Sequence, residues 1–506
     1  LTQSLLGIDI GTSGCKALLI DATGAVLASR TETYGLSQPH PGWTEQDPRL
    51  WIDGARAAVA GVLALRPDVE VGAIGLSGQM HGLTPLDAEH RVLRPAILWN
   101  DQRNGAECAD ITTRAGGIEG LLRHTNNRML VGYTGGKILW MRNHEPELFG
   151  RLRHVLNPKD YLRFVLTGEL ATEVSDASGT GLFDPRRRAW AAGLLDLMEI
   201  DAALLPPCHE SHVVSGRVSR SGSVLFGLKA GIPVVGGGGD SVIQTIGSGV
   251  IAPGELQTTI GTAGILAAAL DEPVENPDGR LQVFCNVAPD KWHCMGVSLN
   301  AGGAVEWLRA LLAGFADGAV PTAEQIAALA EKAPVGARGL LFLPYLNGER
   351  CPHPDPSARG GFVGLTTRHG AEEMARSVME GVTHSLFDIF ALMEKAGIGR
   401  TLIKASGGGA RSVLWRQMQA DLFGCDVVTT EGAAEGGAFG AALVAGVGIG
   451  VWPDADEAAR ACRAVTREAP DAAAGDAMRS AFEVYRGLYD ALSPSFAAIG
   501  AARLDR

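Results

Sequence analysis

The sequence predicts two related α/β domains facing a shared cleft, and three observations carry that prediction. A chain of 506 residues is longer than one hydrophobic core ordinarily organises, so at least two domains are expected. A strand-turn-strand unit occurs twice: residues 5–20 read LLGIDIGTSGCKALLI and residues 255–270 read ELQTTIGTAGILAAAL, with the apolar strand, the Ile-Gly-Thr-x-Gly turn and the second apolar strand in the same places. Apolar runs also lead through glycine loops into helical stretches, as after Pro233–Val235 and after Thr401–Ala405, which is the alternation of an α/β chain. Ala252-Pro253-Gly254 marks a boundary, dividing the chain into residues 1–250 and 251–506.

In chain order, Leu5–Ile10, Ala17–Ile20 and Ala25–Ser29 read as a three-stranded meander. Its first turn, Gly11, Thr12, Ser13 and Gly14, brings backbone N–H groups and two hydroxyls to where a phosphate can sit. Asp9 at the strand's end can then hold the accompanying magnesium; the alternative is an ordinary hairpin with a surface Asp. Helical composition follows over Arg49–Leu65, then a buried strand over Val71–Leu76 that runs into Ser77-Gly78-Gln79-Met80-His81-Gly82. Apolar Ala96–Leu98 leads likewise into Trp99-Asn100-Asp101-Gln102-Arg103. Two polar clusters after two strands can converge on a hydroxylated small molecule, although a lone His after a strand is more often structural. Residues 137–168 read as helix and connection, 171–184 as an irregular loop, and Arg186-Arg187-Arg188 as a solvated turn.

The strand Pro233–Val235 meets four glycines and then Asp240, at a strand-to-helix junction. Such a junction leaves a carboxylate placed to accept a proton or face a metal; a helix N-cap is the plainer reading. The second hairpin lacks an Asp where the first has Asp9, so only one copy carries that carboxylate. Ala301–Leu308 opens a helix, and residues 339–366 form a Gly/Pro-rich ordered loop between short strands. In Glu372–Lys395, Met374, Val378, Val382, Leu386, Ile389 and Met393 recur at spacings of three and four, one apolar helix face. Thr401–Ala405 then leads into Ser406–Ser412, whose triple glycine lets a flat ring lie against the backbone, and a helix follows over Val413–Leu422.

Composition excludes several classes. A net charge of −12 supplies no general basic field, which argues against nucleic acid or an anionic membrane as partner. Eight cysteines lie scattered without a Cys-x-x-Cys pair, which suits a reducing compartment better than a disulfide scaffold or zinc ribbon. Mean hydropathy is +0.10, yet polar residues, Gly or Pro interrupt every apolar stretch short of a bilayer span. No basic segment or apolar signal core precedes the Leu5 strand, so the cytoplasm is the expected location. The chain has no Gly-x-x-x-x-Gly-Lys-Ser/Thr and no Gly-x-Gly-x-x-Gly after a strand, and His209-Glu210 lacks a second His four residues after the first, where Val213 stands.

Taken together, GIDIGTSGCK, AILWNDQR, PKDYLRFVLTG, GGGGD, FLPYLNGERCPHPDPSARG, SGGGARS and EGGAFGAALVAG resemble the FGGY carbohydrate kinases of the actin-like ATPase superfamily, over nearly the whole chain. The loop Ser77–Gly82 resembles the sugar loop of the xylulose-phosphorylating branch. The resemblance implies two ribonuclease H-like domains, each a mixed sheet flanked by helices, around a central cleft, the first binding sugar and the second binding ATP. It implies ATP- and Mg2+-dependent phosphorylation of D-xylulose at the 5-hydroxyl; a kinase of ribulose, glycerol or gluconate and a non-metabolic actin-like ATPase are the alternatives.

Carried over residue by residue, the resemblance makes Asp240 the general base, with Gln79, Met80, His81, Asn100 and Asp101 at the sugar. Asp9, together with Asp240, would face magnesium. Gly11, Thr12 and Ser13 with Gly261 and Thr262 would surround the phosphates, and Gly302, Gly408, Gly409 and Ala410 would line the adenosine pocket. The implied partners are the small-molecule sugar and ATP, without nucleic acid or membrane, as a monomer or a homodimer. Two positions depart from the family: Ser241 stands where Asn usually follows the catalytic Asp, and Ala263 stands where the second turn usually has Ser. Both bear on substrate affinity and preference more than on reaction class.

Overall fold

Strands Thr2–Ile10 (β1), Gly14–Ile20 (β2) and Val26–Thr33 (β3) form the meander expected from the first stretch, each antiparallel to the next. The structure is a computed structural model that describes residues 2–314 and 320–502. It divides into two units, residues 1–252 with 269–293 and 435–463, and residues 253–268 with 294–434 and 464–506. Two segments beyond residue 250 therefore belong with the first unit.

In the first unit Val69–Gly78 (β4) runs parallel to β1, and Val214–Arg217 (β5) and Pro233–Val235 (β6) extend the sheet. The order is β5-β6-β4-β1-β2-β3, and the two-residue strand Gly238–Gly239 (β7) also pairs with β4. On one side lies helix Pro48–Leu65, begun by Asp47, whose side chain accepts from Arg49 N, and by Pro48 in the first turn. Trp51, Ala55, Val59 and Val62 of this helix are buried in one core with Leu6, Ile8, Ile10, Ile74 and Leu76 of the sheet.

The other side receives the glycine-rich helix Gly437–Gly448, and glycine permits the approach. A Cβ on Gly7 would lie 1.9 Å from the Ala438 carbonyl oxygen, and one on Gly75 would lie 1.8 Å from that of Ala441. Real side chains do not fit such gaps, so both strand positions require glycine.

The second unit repeats this plan. Glu255–Ile260 (β8), Gly264–Leu270 (β9) and Trp292–Ser298 (β10) form its meander, followed by Leu402–Ser406 (β11), Asp426–Thr430 (β12) and Ala464–Glu468 (β13). These strands run β10-β9-β8-β11-β12-β13. β8 pairs antiparallel with β9 and parallel with β11, as β1 does with β2 and β4, and β12 pairs parallel with β11 and antiparallel with β13, as β6 does with β4 and β5. The repeated hairpin in the sequence thus marks a repeated sheet.

The two hairpins are not superposable in register. Ile10 faces Cys15 across the first turn, whereas Ile260 faces Gly264 across the second. Identical spacing in sequence therefore closes a four-residue turn in one copy and a three-residue turn in the other. Gly11 N donates to Gly14 O, but Gly261 N donates to Ala263 O.

Two local expectations are corrected and a third is extended. Residues 171–184 are ordered and buried: strand Thr172–Glu173, helix Val174–Ser178 and strand Phe183–Asp184. The basic run is only partly solvated. Arg188 pairs with Glu210 at 2.7 Å and is half-buried, whereas Arg186, 3.1 Å from Asp184, and Arg187 are exposed. Helix Ala371–Lys395 buries its apolar face as expected, with Met374 at its edge half-buried, but it also buries Arg376, Glu380, Thr383 and His384. Arg376 Nε meets Glu380 Oε1 at 2.7 Å, which satisfies that charge inside the protein.

Candidate active site

β1, β4 and β7 end side by side in the first unit and bring together the residues singled out in sequence. Asp9 sits near the end of β1, where Ser77 Oγ donates to its Oδ1 at 2.7 Å. Lys16 faces it across the hairpin and lies 2.7 Å from Glu435 Oε2. Close above is the start of the glycine-rich helix: a Cβ on Gly437 would stand 3.0 Å from Asp9 Oδ2. Burial raises the Asp9 carboxyl above its ordinary range, against the Ser77 hydrogen bond and the Lys16 charge, which lower it.

Asp240 is the first residue of helix Asp240–Gly247, and Gly239 holds the N-cap position. The side chain therefore does not cap the helix in the ordinary way; its Oδ1 accepts from Ser241 N at 2.7 Å. Burial, and then the Asp9 carboxylate, push Asp240 up to about 7. Two mutually repelling carboxyls, each retaining some exposed surface, form a donor set that a magnesium ion would neutralise; with oxygens from a substrate phosphate, such a pair is a suitable Mg2+ environment. The residues present fit the metal.

The Gln79–Gly82 loop is held from several sides. Gln79 N donates to Ile10 O at 2.7 Å. Gln79 Nε2 donates to Gln46 Oε1 at 2.9 Å, and Gln79 Oε1 accepts from Thr12 Oγ1 at 3.1 Å. Trp99 Nε1 in turn donates to Thr12 Oγ1 at 2.9 Å. Thr12 thus ties the first hairpin to both polar clusters, and its hydroxyl is engaged there; Ser13 is exposed.

His81 has φ +68, a left-handed conformation that a residue with a Cβ adopts only when its surroundings enforce it. They do so here. Buried Lys137 donates from Nζ to the His81 carbonyl at 2.7 Å, Tyr133 stacks on the ring at 4.5 Å, and the ring's Nδ1 meets the Gly179 carbonyl. A carbonyl only accepts, so Nδ1 carries a proton and Nε2 is the ring's remaining polar atom. Burial pushes Lys137 down to about 7.

Met80 is 2 % exposed and lies between glycines: a Cβ on Gly239 would stand 2.5 Å from its Cγ, and one on Gly179 2.7 Å from its Cε. Ser241 Oγ donates to Met80 Sδ at 2.9 Å.

The second polar cluster divides. Asn100 Oδ1 is buried and accepts no hydrogen bond among the described residues, so it is an acceptor without a donor. Asp101 is fully buried, and its oxygens are occupied by Arg103 Nε at 2.8 Å, Arg103 Nη2 at 2.7 Å and Thr44 N at 2.6 Å. Arg103 in turn stacks over Trp43 at 3.8 Å. Asp101 therefore braces the loop that carries Trp99 and Asn100.

The second unit holds a cavity of about 520 Å³ lined by Gly261, Thr262, Gly302, Gly408, Gly409 and Trp415 with neighbouring side chains of helices Gly302–Ala313 and Ala323–Ala330. Gly302 N donates to Gly261 O at 2.8 Å and Gly303 N to Thr262 O at 3.1 Å, so the turn is clamped by the start of a helix. A Cβ on Gly302 would lie 2.5 Å from Gly261 O, and one on Gly409 2.5 Å from Ile260 Cγ2. Volume and glycine floor fit a nucleoside. Ala410 is not among the lining residues; its carbonyl accepts from Arg416 Nη1 at 2.5 Å. Among the described residues no helix is long and apolar enough to cross a membrane.

Sequence reasoning missed Lys137, Lys159, Ser175 and Gly179. The motif PKDYLR pointed at Lys159 only as part of a family pattern, and the small-residue stretch 171–184 gave no sign that it walls the Met80 loop.

Known proteins resemble this chain over nearly its whole length. The chain matches the N-terminal domain of the FGGY family of carbohydrate kinases over residues 4–247 and the C-terminal domain over residues 256–449. It is 38% identical to the xylulose kinase of Escherichia coli (strain K12) over 492 residues, 97% of this chain and 100% of that protein. Among solved structures, a xylulose kinase from Brucella ovis superposes with a TM-score of 0.91 at 35% identity, covering 97% of this chain and 99% of that one. A gluconate kinase from Lactobacillus acidophilus gives a TM-score of 0.93 at 29% identity, covering 99% and 100%.

Proposed function

The chain belongs to the FGGY family of carbohydrate kinases, and from that premise we propose that it transfers the γ-phosphoryl group of ATP to the 5-hydroxyl of D-xylulose, giving D-xylulose 5-phosphate and ADP. The observation that carries the choice of sugar is the full-length likeness to xylulose kinases, joined to the Gln79–His81 loop at the end of β4.

In this reading the first unit binds the sugar and the second binds ATP. Asn100 Oδ1 accepts from a sugar hydroxyl, which gives that buried oxygen its missing donor. His81, fixed by Lys137, Tyr133 and Gly179, stands at the sugar beside Met80, which supplies an apolar wall. Gln79 and Asp101 hold the loops that carry these groups.

Asp240 takes the proton from the 5-hydroxyl as that oxygen attacks phosphorus. A carboxyl at about 7 is well matched to this task near neutral pH, since it is ionised often enough to accept a proton and basic enough to keep it. Asp9 and Asp240 are the residues that would hold magnesium, which when bound would supply positive charge to offset that on the transferring phosphoryl group. In the second unit the reading assigns Gly261 and Thr262 to the phosphates of ATP and Gly302, Gly408 and Gly409 to its adenosine.

One observation favours a second reading, gluconate phosphorylation: the gluconate kinase superposes as well as the xylulose kinases do. A coupled ADP assay over D-xylulose, D-ribulose, L-ribulose, glycerol and gluconate separates them. The highest kcat/KM is expected for D-xylulose, and a preference for gluconate or glycerol overturns the substrate while leaving the kinase.

A further inference from the structure

Behind Asp240 lies a fully buried set of charges that the proposed reaction does not use. Lys159, the second residue of helix Pro158–Thr167, has no exposed surface; its Nζ lies 2.5 Å from Asp160 Oδ1, 3.6 Å from Glu173 Oε1 and 3.6 Å from Asp176 Oδ2. One ammonium thus faces three carboxyls. Burial holds Asp176 well above the usual carboxylate range, and its Oδ2 accepts no hydrogen bond among the described residues. Removing four ionisable groups from water costs far more than an apolar core would, unless the arrangement is needed.

The hydrogen bonds show where this arrangement leads. Lys159 Nζ donates to Gly236 O at 3.3 Å. Glu173 accepts from Ser175 N at 2.8 Å, Ser175 Oγ at 2.9 Å, Asp176 N at 2.9 Å and Ser211 Oγ at 2.6 Å. Ser175 Oγ, its own proton committed to Glu173, accepts from Gly239 N at 3.1 Å. The four-glycine run is therefore gripped at both ends, at the Gly236 carbonyl and at the Gly239 amide, and the residue after Gly239 is Asp240. Contacts are close throughout: a Cβ on Gly236 would lie 2.9 Å from Glu173 Cβ.

We infer that Ser175, oriented by Glu173, and Lys159 are positioning residues for Asp240, fixing the glycine run so that the carboxylate is held at the reacting hydroxyl. Four consecutive glycines have more conformational freedom than any other tetrapeptide, and a catalytic group carried on them needs external restraint. An error of about 1 Å in such a group costs on the order of 10²-fold in rate. The Ser175 hydroxyl supplies the restraint at the peptide next to Asp240, and the charge cluster fixes the hydroxyl. Neither side chain needs to touch the sugar.

This inference rests on the reading of Asp240 as the proton acceptor, and the test separates the two. Ser175→Ala removes one hydroxyl from a small buried site. It is expected to lower kcat about 10- to 100-fold while leaving KM for D-xylulose and for ATP within about 3-fold, and Ser175→Thr is expected to restore much of the loss. In an Asp240→Asn background, Ser175→Ala is expected to add less than about 2-fold, because a misplaced base costs nothing once the base is gone. Lys159→Met, which keeps the stem and removes the charge, serves as a second variant, with circular dichroism and thermal melting showing that it folds. Unchanged kcat in Ser175→Ala, or a full additional loss in the Asp240→Asn background, overturns the inference. An active Asp240→Asn enzyme overturns the assignment of Asp240 and the inference with it.

Discussion

At the scale of single residues the proposed chemistry depends on one carboxyl. Asp240 is pushed to about 7 by burial and by Asp9, and only its ionised form accepts a proton. On the proposed assignment, kcat/KM for D-xylulose therefore rises with pH through the region near 7 and levels above it, as a profile from pH 5.5 to 8.5 would record. The same shift has a stability consequence of opposite sign. A carboxyl whose folded value is raised favours the folded state fully below the ordinary Asp range, and that advantage is lost as pH rises through 7. Asp240→Asn is accordingly expected to raise the unfolding temperature of the metal-free protein at pH 8, by about 1 to 3 °C, and to leave it unchanged near pH 4; equal melting at pH 8 would contradict the shift. The strand-to-helix junction at Asp240 was legible in sequence from the glycine run before it, but the local pattern fits a helix N-cap equally well, and only the family resemblance singled the carboxylate out. Lys137, Ser175 and Gly179 were not legible, because each acts through a partner far away in the chain, and nothing in the local sequence names that partner.

At the scale of elements, the repeated hairpin was legible and its register was not. Both copies read Ile-Gly-Thr-x-Gly, yet the second closes a shorter turn because Gly302 N, Gly303 N and Ala301 N bond to the Gly261 and Thr262 carbonyls. That clamp comes from a helix start about forty residues later, beyond what local spacing reveals. Its importance is testable: Gly302→Ala places a Cβ against Gly261 O, and is expected to raise KM for ATP about 10-fold or more while changing KM for D-xylulose by less than about 2-fold. Equal changes in both constants would argue against a nucleotide site there.

The packing of helix Gly437–Gly448 offers a second test. Gly75→Ala must displace the Ala441 carbonyl, which is expected to destabilise by about 1–3 kcal/mol in urea unfolding. Because that helix begins beside Asp9, activity is expected to fall with it. The stretch 171–184 escaped sequence reading for a related reason: its small hydroxyl residues lack a periodic apolar pattern, and its order comes from the buried charges of Glu173 and Lys159 together with a small apolar cluster of Val174, Ala177 and Phe183.

At the scale of the molecule, the duplicated sheet, strand for strand from the three-stranded meander to the antiparallel edge, accounts for two units that share a plan. The second hairpin lacks an Asp, Leu256–Ile260 occupying the place of Leu6–Ile10, and on the proposed assignment the carboxylate chemistry belongs to the first unit and the nucleotide to the cavity of the second. An actin-like ATPase would share the plan but would have no use for the orphaned Asn100 oxygen or the strained His81. The most direct test is to incubate the full chain with MgATP and D-xylulose and follow the product by phosphorus NMR alongside ADP release, for the wild type and for Asp240→Ala. The account predicts a phosphomonoester on carbon 5 in step with ADP, and a loss of about 10²- to 10⁴-fold in the variant. ADP release at the same rate with and without D-xylulose, or near-normal product from Asp240→Ala, would contradict it.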